Sequence, residues 1–205
     1  MAMLKLGFAL EGNSDYPVIP VLVRRTLMNE FPGIELAPDM TLRPRKRGHG
    51  FIKELPAFAR QLYDNGAAVA VAVVDTDNTR IGERRDLLRA AIAQCETQRI
   101  PICIAEGLAV HSLEAWLLAD ERAILTVFDG DSASVQFPNP EADRNPKTTL
   151  NQIVRTLTDG REVTFANFAQ DLAEIVRLDV LRQRCQQFDE FARNLINCVR
   201  AWQRW

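Results

Sequence analysis

Histidine is nearly missing from this chain and cysteine is sparse. There are two histidines and four cysteines, Cys95, Cys103, Cys185 and Cys198, with no close pairing among the four. Zinc fingers and ribbons need ligand pairs a few residues apart, so structural zinc of that kind is excluded. Reduced, mostly structural thiols in a cytoplasmic protein are the expectation. No apolar run approaches the length of a membrane-spanning helix. The N-terminus lacks the basic region, long apolar stretch and small-residue cleavage site of a secretory signal. A Gly-x-x-x-x-Gly-Lys-Ser/Thr loop is also missing, which argues against a P-loop NTPase. Neither an internal repeat nor a low-complexity tract is present. Positive charge is not in excess either: 25 Lys plus Arg against 27 Asp plus Glu leave a net charge of -2. A polyanionic partner is therefore not written into the whole chain, and only local clusters can signal one.

What is present is ordinary for a soluble globular protein. The 205 residues are 47% hydrophobic and 25% charged, enough for one domain, or one domain with an appendage, and a core of normal size. The pattern divides into an α/β part, residues 1–128, and a lid loop with a helical extension, residues 129–205. The chain is organised around Ala67-Ala68-Val69-Ala70-Val71-Ala72-Val73-Val74, an unbroken apolar run followed by Asp75-Thr76-Asp77-Asn78. Such a run reads as a strand covered on both faces, as in a parallel sheet. A buried helix competes, but Gly66 before it and the polar turn after it favour a short strand. Asp75 and Asp77 then stand at the carboxyl end of a central strand, the edge where open α/β sheets bind ligands. Two carboxylates so close repel unless a cation, typically a divalent one, lies between them. The alternative is one helix cap and one solvated side chain.

The rest of the chain fits a mainly parallel sheet of about four strands flanked by helices. Met3 to Leu10 reads as a strand ending at Glu11-Gly12-Asn13-Ser14-Asp15. A helix capped by Ser14 or Asn13 follows to about Glu30, then an edge strand over Ile34 to Leu42, interrupted by Pro38. The loop Arg43-Pro44-Arg45-Lys46-Arg47-Gly48-His49-Gly50 leads to a helix from Phe51 to Asp64. After the central strand come a helix from about Glu83 to Gln98 and a buried strand from Ile100 to Ala105, completing the βαβ alternation. His111 to Asp120 reads as a compact helix with Asp120 capping a further turn. Asp129 to Asn145 reads as a long loop or lid. Helices are expected over Thr148 to Thr158, Phe165 to Val176 and Leu178 to Trp202.

Chemistry comes from the strand ends. Glu11 and the Asp75–Asp77 pair fall on one edge of a parallel sheet although far apart in sequence, and Glu114 can approach the same edge. Carboxylates gathered there suit Mg²⁺-dependent phosphoryl transfer, in which they hold the ion against the phosphate. Glu11-Gly12-x-x-Asp15 after a strand, with Asp75-x-Asp77 after an apolar strand, resembles the TOPRIM domain of topoisomerases, primases and OLD-type nucleases. The block His111-Ser112-Leu113-Glu114-Ala115-Trp116-Leu117-Leu118-Ala119-Asp120 resembles that of a bacterial family of unknown function with TOPRIM-like folds, found near mobile elements and phage-defence genes. The resemblance covers about the first 120 residues by motif. It implies a metal-dependent nuclease or related phosphodiester-transfer enzyme, with Mg²⁺ or Mn²⁺ as cofactor and Glu11, Asp75 and Asp77 as ligands, Glu11 alternatively as general acid or base. DNA or RNA would be the partner, together with a protein encoded nearby and no membrane. Many TOPRIM domains carry a further acidic residue where this chain has Thr79, so a second metal depends on Glu114.

Each remaining candidate has a plainer alternative. Arg43, Arg45, Lys46, Arg47 and His49 form a basic loop suited to phosphate contact, or a solvated turn. Lys147 can neutralise a transition-state phosphate, or be merely exposed. His111, on one helix face with Glu114, fits a structural histidine better than a catalyst, and Trp116, Leu117 and Leu118 belong to the core. The tail from Trp202 to Trp205 packs on the helices or meets a partner. Two rival functions remain: a non-catalytic nucleic-acid or partner-binding module, and a sugar- or nucleotide-phosphate enzyme on a doubly wound sheet. Carboxylates at Glu11, Asp75 and Asp77 favour catalysis, because phosphate binding alone is better without them.

Overall fold

The computed structural model describes residues 3–77 and 80–204. Four strands alternate with three helices: β1 (Leu6–Leu10), α1 (Ile19–Glu30), β2 (Met40–Leu42), α2 (His49–Asp64), β3 (Val69–Asp75), α3 (Ile81–Thr97) and β4 (Cys103–Ala109). All pairings are parallel, in the order β2-β1-β3-β4, which places the Val-rich β3 inside the sheet. Strand parity sends Leu6, Phe8, Leu10, Val69, Val71 and Val73 to one face. Ala9, Ala70, Ala72 and Val74 go to the other, as the two-residue strand period requires. Phe51, Ile52 and Leu55 of α2 and Leu88 of α3 cover this second face. With both faces buried, β3 needs no polar alternation.

The first face is covered by α1 and by the helices that follow β4. These are α4 (Glu114–Leu118), α5 (Glu121–Val127), α6 (Pro146–Leu157), α7 (Ala169–Ile175), α8 (Leu178–Arg184) and α9 (Gln186–Trp202). Their buried side chains, Trp116, Leu150, Leu172, Phe188 and Phe191 among them, join one core with β1 and β3. Trp116 is central to it, stacked on Phe191 at 5.7 Å and edge-on to Phe188 at 5.1 Å. No helix among the described residues is long and apolar enough to cross a membrane.

Several sequence-based boundaries move. β4 runs through Glu106 and Gly107 instead of ending before them. Gly107 is required inside it because a Cβ there would stand 2.8 Å from the Phe191 ring of α9. β2 shrinks to three residues, with only a Leu4–Leu36 bridge left of the longer strand. α2 begins at His49, so that histidine belongs to a helix and not to the basic loop. The Asn13–Ser14 cap does not form; Asn13–Asp15 make a short 3-10 turn and α1 starts at Ile19 without a side-chain cap. His111 takes a left-handed φ of 59°, which confines the expected ten-residue helix to Glu114–Leu118. α6 starts at Pro146, whose missing N–H costs nothing in the first turn, instead of at a Thr148 cap. The helix expected from Leu178 to Trp202 breaks at the extended Cys185, because the Glu141 carboxylate takes the N–H groups of Gln186 and Gln187, both at 2.9 Å. Thr79 and Trp205 lie outside the described residues.

The cysteine expectation is corrected as well. Cys103 of β4 and Cys198 of α9 form a disulfide with Cα atoms 5.4 Å apart, while Cys95 and Cys185 are free and buried. The bonded pair is 95 positions apart in sequence, so it becomes neighbouring only through the packing of α9 on β4.

Candidate active site

Chain direction creates the site. α1 leaves β1 toward β2 while the chain later crosses back to β3 on the other side of β1, so the β1 and β3 ends flank the point where strand order reverses. The cleft there has a volume of ≈ 450 Å³. It is lined by Glu11, Asp15, Asp75, Asp77 and Glu114, with Arg47, Lys147 and Ser112. Every catalytic and metal-ligating residue expected from the sequence therefore reaches one cleft. Of the basic loop only Arg47 does, besides the backbone of Gly48.

Glu11 directly follows β1 and is pinned by the Gly48 N–H, which donates to Oε1 at 2.5 Å; Oε2 is buried with no hydrogen-bond partner among the described residues. Gly48 reaches that position with a φ of 54°, a region that side-chain-bearing residues avoid. Burial raises the Glu11 pKa above the usual carboxylate range, opposed by the Gly48 N–H. Asp15 is 6% exposed and accepts the Gly12 N–H at 2.8 Å. Burial, with Glu11 and Glu114 adding to it, pushes its pKa up to about 6. Asp75 ends β3 opposite Ala109 of β4. Burial first, then the charges of Asp15, Glu114, Glu11 and Asp77, push it up to about 9. Glu114 opens α4 and is 5% exposed, yet among the described residues no hydrogen bond or ion pair reaches its carboxylate.

The turn that carries Asp77 is braced by the segment after β4. Thr76 N–H donates to Ala109 O, and His111 N–H donates to the Thr76 hydroxyl at 2.7 Å. Asp77 N–H donates to His111 O while the His111 ring Nδ1 lies 3.0 Å from Asp77 O. Both residues occupy the left-handed region, Asp77 at φ 48° and His111 at φ 59°. Backbone held there by surrounding bonds is common at functional edges. His111 is thus a brace for this turn, in line with its structural reading.

Positive charge surrounds the cleft unevenly. Arg47 and Lys147 are exposed at its rim. Arg84, in the first turn of α3, is 5% exposed and lies beneath, with Nη2 3.8 Å from Asp77 Oδ2. The other loop cations turn elsewhere. Arg43 stands over the Tyr16 ring at 5.4 Å, Lys46 pairs with Glu54 at 2.7 Å, and Arg45 and His49 are exposed outside the cleft lining.

The donor set suits a hard cation. All candidate ligands are carboxylates, which favour Mg²⁺ or Mn²⁺ over zinc. The unpartnered Glu11 Oε2 and Glu114 carboxylate are the groups such an ion would satisfy. Among the described residues, however, no group of three or more His, Cys, Asp or Glu side chains stands close enough to hold an ion as it is. Side-chain movement on binding is therefore part of any metal reading.

Sequence reasoning missed three residues of the cleft or its floor. Asp15 belongs to the Glu11-Gly12-x-x-Asp15 motif, yet the strand-end argument reaches only Glu11, Asp75 and Asp77. Ser112, whose buried hydroxyl has no partner among the described residues, lies inside the second motif. Arg84 carried no signal, being one of several charges on a polar helix.

An open, all-parallel α/β sheet with carboxylates gathered at its reversal point defines the class of protein. The chain belongs to the family described as a domain of unknown function, DUF4276, whose model matches residues 10–196. No curated protein and no solved structure gives a match.

Proposed function

We propose that the protein is a Mg²⁺- or Mn²⁺-dependent nuclease, or a related phosphodiester-transfer enzyme, of TOPRIM-like kind. The observation that carries this is the make-up of the cleft: Asp15 and Glu114 are buried, Glu11 and Asp75 are half-buried, and Arg47 and Lys147 are exposed at the rim together with Asp77. A polyanion needs the rim, and the floor would otherwise repel it. Glu11, Asp75 and Asp77 would hold the ion, with Asp15 and Glu114 beside them. The ion would polarise a phosphoryl oxygen and ease ionisation of an attacking water. Arg47 and Lys147 would orient the phosphate, and Lys147 would offset charge developing on it. Glu11, with its raised pKa and unpartnered oxygen, is suited to take or give a proton. The lack of a ready-made three-ligand group among the described residues favours a second reading, a nucleic-acid or partner-binding module that does not cleave.

We place the protein in the cytoplasm with its DNA or RNA substrate, in defence against phage or mobile elements and beside a protein partner encoded nearby. Labelled single- and double-stranded DNA and RNA, titrated with Mg²⁺ and Mn²⁺, test the activity. Cleavage of at least one substrate is expected, none in EDTA, with Glu114→Gln reducing the rate by ~100-fold or more while the melting temperature holds. Binding without cleavage under every condition would replace the enzyme by the binding module. If Glu114→Gln loses activity only in proportion to lost stability, Glu114 is an anchor for its helix.

A further inference from the structure

A second cavity lies between α3 and α9 over β4, the last strand of the sheet. α9 runs back along β4: Phe191 meets Gly107, Asn194 Nδ2 donates to Glu106 O at 3.2 Å, and Cys198 is bonded to Cys103. Toward the carboxyl end of the strand, Arg85 of α3 reaches across to α9, where its Nη2 donates to Gln187 Oε1 and to Glu190 Oε2, both at 2.7 Å. The disulfide ties the same helix to the start of the strand. Between these two ties remains a volume of ≈ 330 Å³, at the small end of the range for ligand sites.

Five charged side chains line this cavity, and their pairing leaves one of each sign. Arg85 is taken by Glu190, and Arg193 by Asp189 of its own helix at 3.1 Å. Among the described residues, neither the exposed Arg89 guanidinium nor the half-buried Glu106 carboxylate has a hydrogen bond or ion pair with another residue. Opposite charges that line one cavity without meeting leave room for a group of each sign between them. An anion alone would face the Glu106 charge and a cation alone the Arg89 charge, whereas a molecule carrying both satisfies the two. Walls already tied together need little rearrangement to receive it, and ties at both ends favour a small molecule over a chain.

We propose that this cavity binds a small zwitterion of the free amino-acid class, its ammonium on Glu106 and its carboxylate on Arg89. The site shares no lining residue with the acidic cleft and does not depend on the reaction proposed there.

Calorimetric titration of the disulfide-bonded whole chain with each of the twenty free L-amino acids tests this, without metal or nucleic acid. At least one should bind at millimolar concentration or below, one molecule per chain. For that amino acid, the matching amine without the carboxylate and the matching acid without the amine should each bind ~10-fold weaker or more. Glu106→Gln and Arg89→Gln should each weaken the amino acid by a similar factor while remaining folded, since neither side chain belongs to the core. No binding by any of the twenty, an amine or acid that binds as tightly as its amino acid, or binding unaltered in either variant would overturn the proposal. An Arg89–Glu106 ion pair that closes the empty cavity would give the first of these results, with both variants melting lower than wild type.

Discussion

Two buried carboxylates separate structure from function at the scale of single residues. Asp120 is 1% exposed and fully engaged: the Arg177 N–H donates at 2.8 Å, Nε at 2.9 Å and Nη2 at 2.6 Å. Glu114, six positions earlier in the same motif, is almost as deep and engages nothing among the described residues. Burial alone would raise the Asp120 pKa, but the Arg177 hydrogen bonds outweigh it and hold the group below its ordinary value. A depressed folded-state pKa gives stability that is present above the unfolded value, near 3.9, and lost as pH falls through the folded one. Arg177→Ala removes the guanidinium and leaves a buried carboxylate with one backbone donor. It should lower the melting temperature near pH 7, by less than loss of a fully buried pair would, because Arg177 is partly exposed. The difference from wild type should shrink on acidification, as the unpaired Asp120 takes up a proton. Melting curves from pH 3 to pH 8 check it. A deficit that stays constant over that range would show that Asp120 is held by packing alone.

At the scale of elements, the contact between β4 and α9 decides how the helical half meets the sheet. Gly107 admits the Phe191 ring, Asn194 donates to Glu106 O at 3.2 Å on the strand, and Cys103 is bonded to Cys198. None of these was legible locally. Glu106-Gly107 looks like the end of a strand until the helix that needs the glycine is in place, and the cysteines share no motif. β3, by contrast, was legible because burial on both faces writes an unbroken apolar run into one segment. The Cys185 break was hidden for the opposite reason: the residue that caps α9, Glu141, lies in a distant loop while the apolar period continues across the break. The disulfide closes a loop of 95 residues, and on chain-entropy grounds its removal by Cys198→Ser should lower stability by about 4 kcal/mol. The core remains large enough to keep the variant folded. Never-reduced wild type, unfolded in guanidinium, should expose two reactive thiols, Cys95 and Cys185; four would mean that β4 and α9 are held by packing only.

For the whole molecule, the strand order determines what the sequence can reveal about function. Acidic residues at strand ends become neighbours whenever the strands run parallel, so Glu11, Asp75 and Asp77 could be grouped without coordinates. Arg84 could not, because its depth depends on how α3 settles against Gly48 of another crossover. The same grouping makes the molecule unstable in one place: the carboxylates around Asp75 repel, and burial adds to the cost of ionising it. Sites of this kind are tolerated for function, and neutralising a member commonly stabilises the fold. Asp75→Asn should therefore raise stability in EDTA by an amount on the order of 1 kcal/mol, roughly 2–4 °C for a chain of this size. Millimolar Mg²⁺ should stabilise wild type in proportion to the logarithm of its excess over Kd, and Asp75→Asn should lose most of that gain. Asp77→Asn should gain less in EDTA, because Asp77 is exposed and has Arg84 beside it. The measurement is thermal melting of the three proteins with EDTA and with Mg²⁺. If wild type shows no Mg²⁺-dependent shift and both variants melt lower than wild type in EDTA, the aspartates serve the turn after β3 and hold no ion.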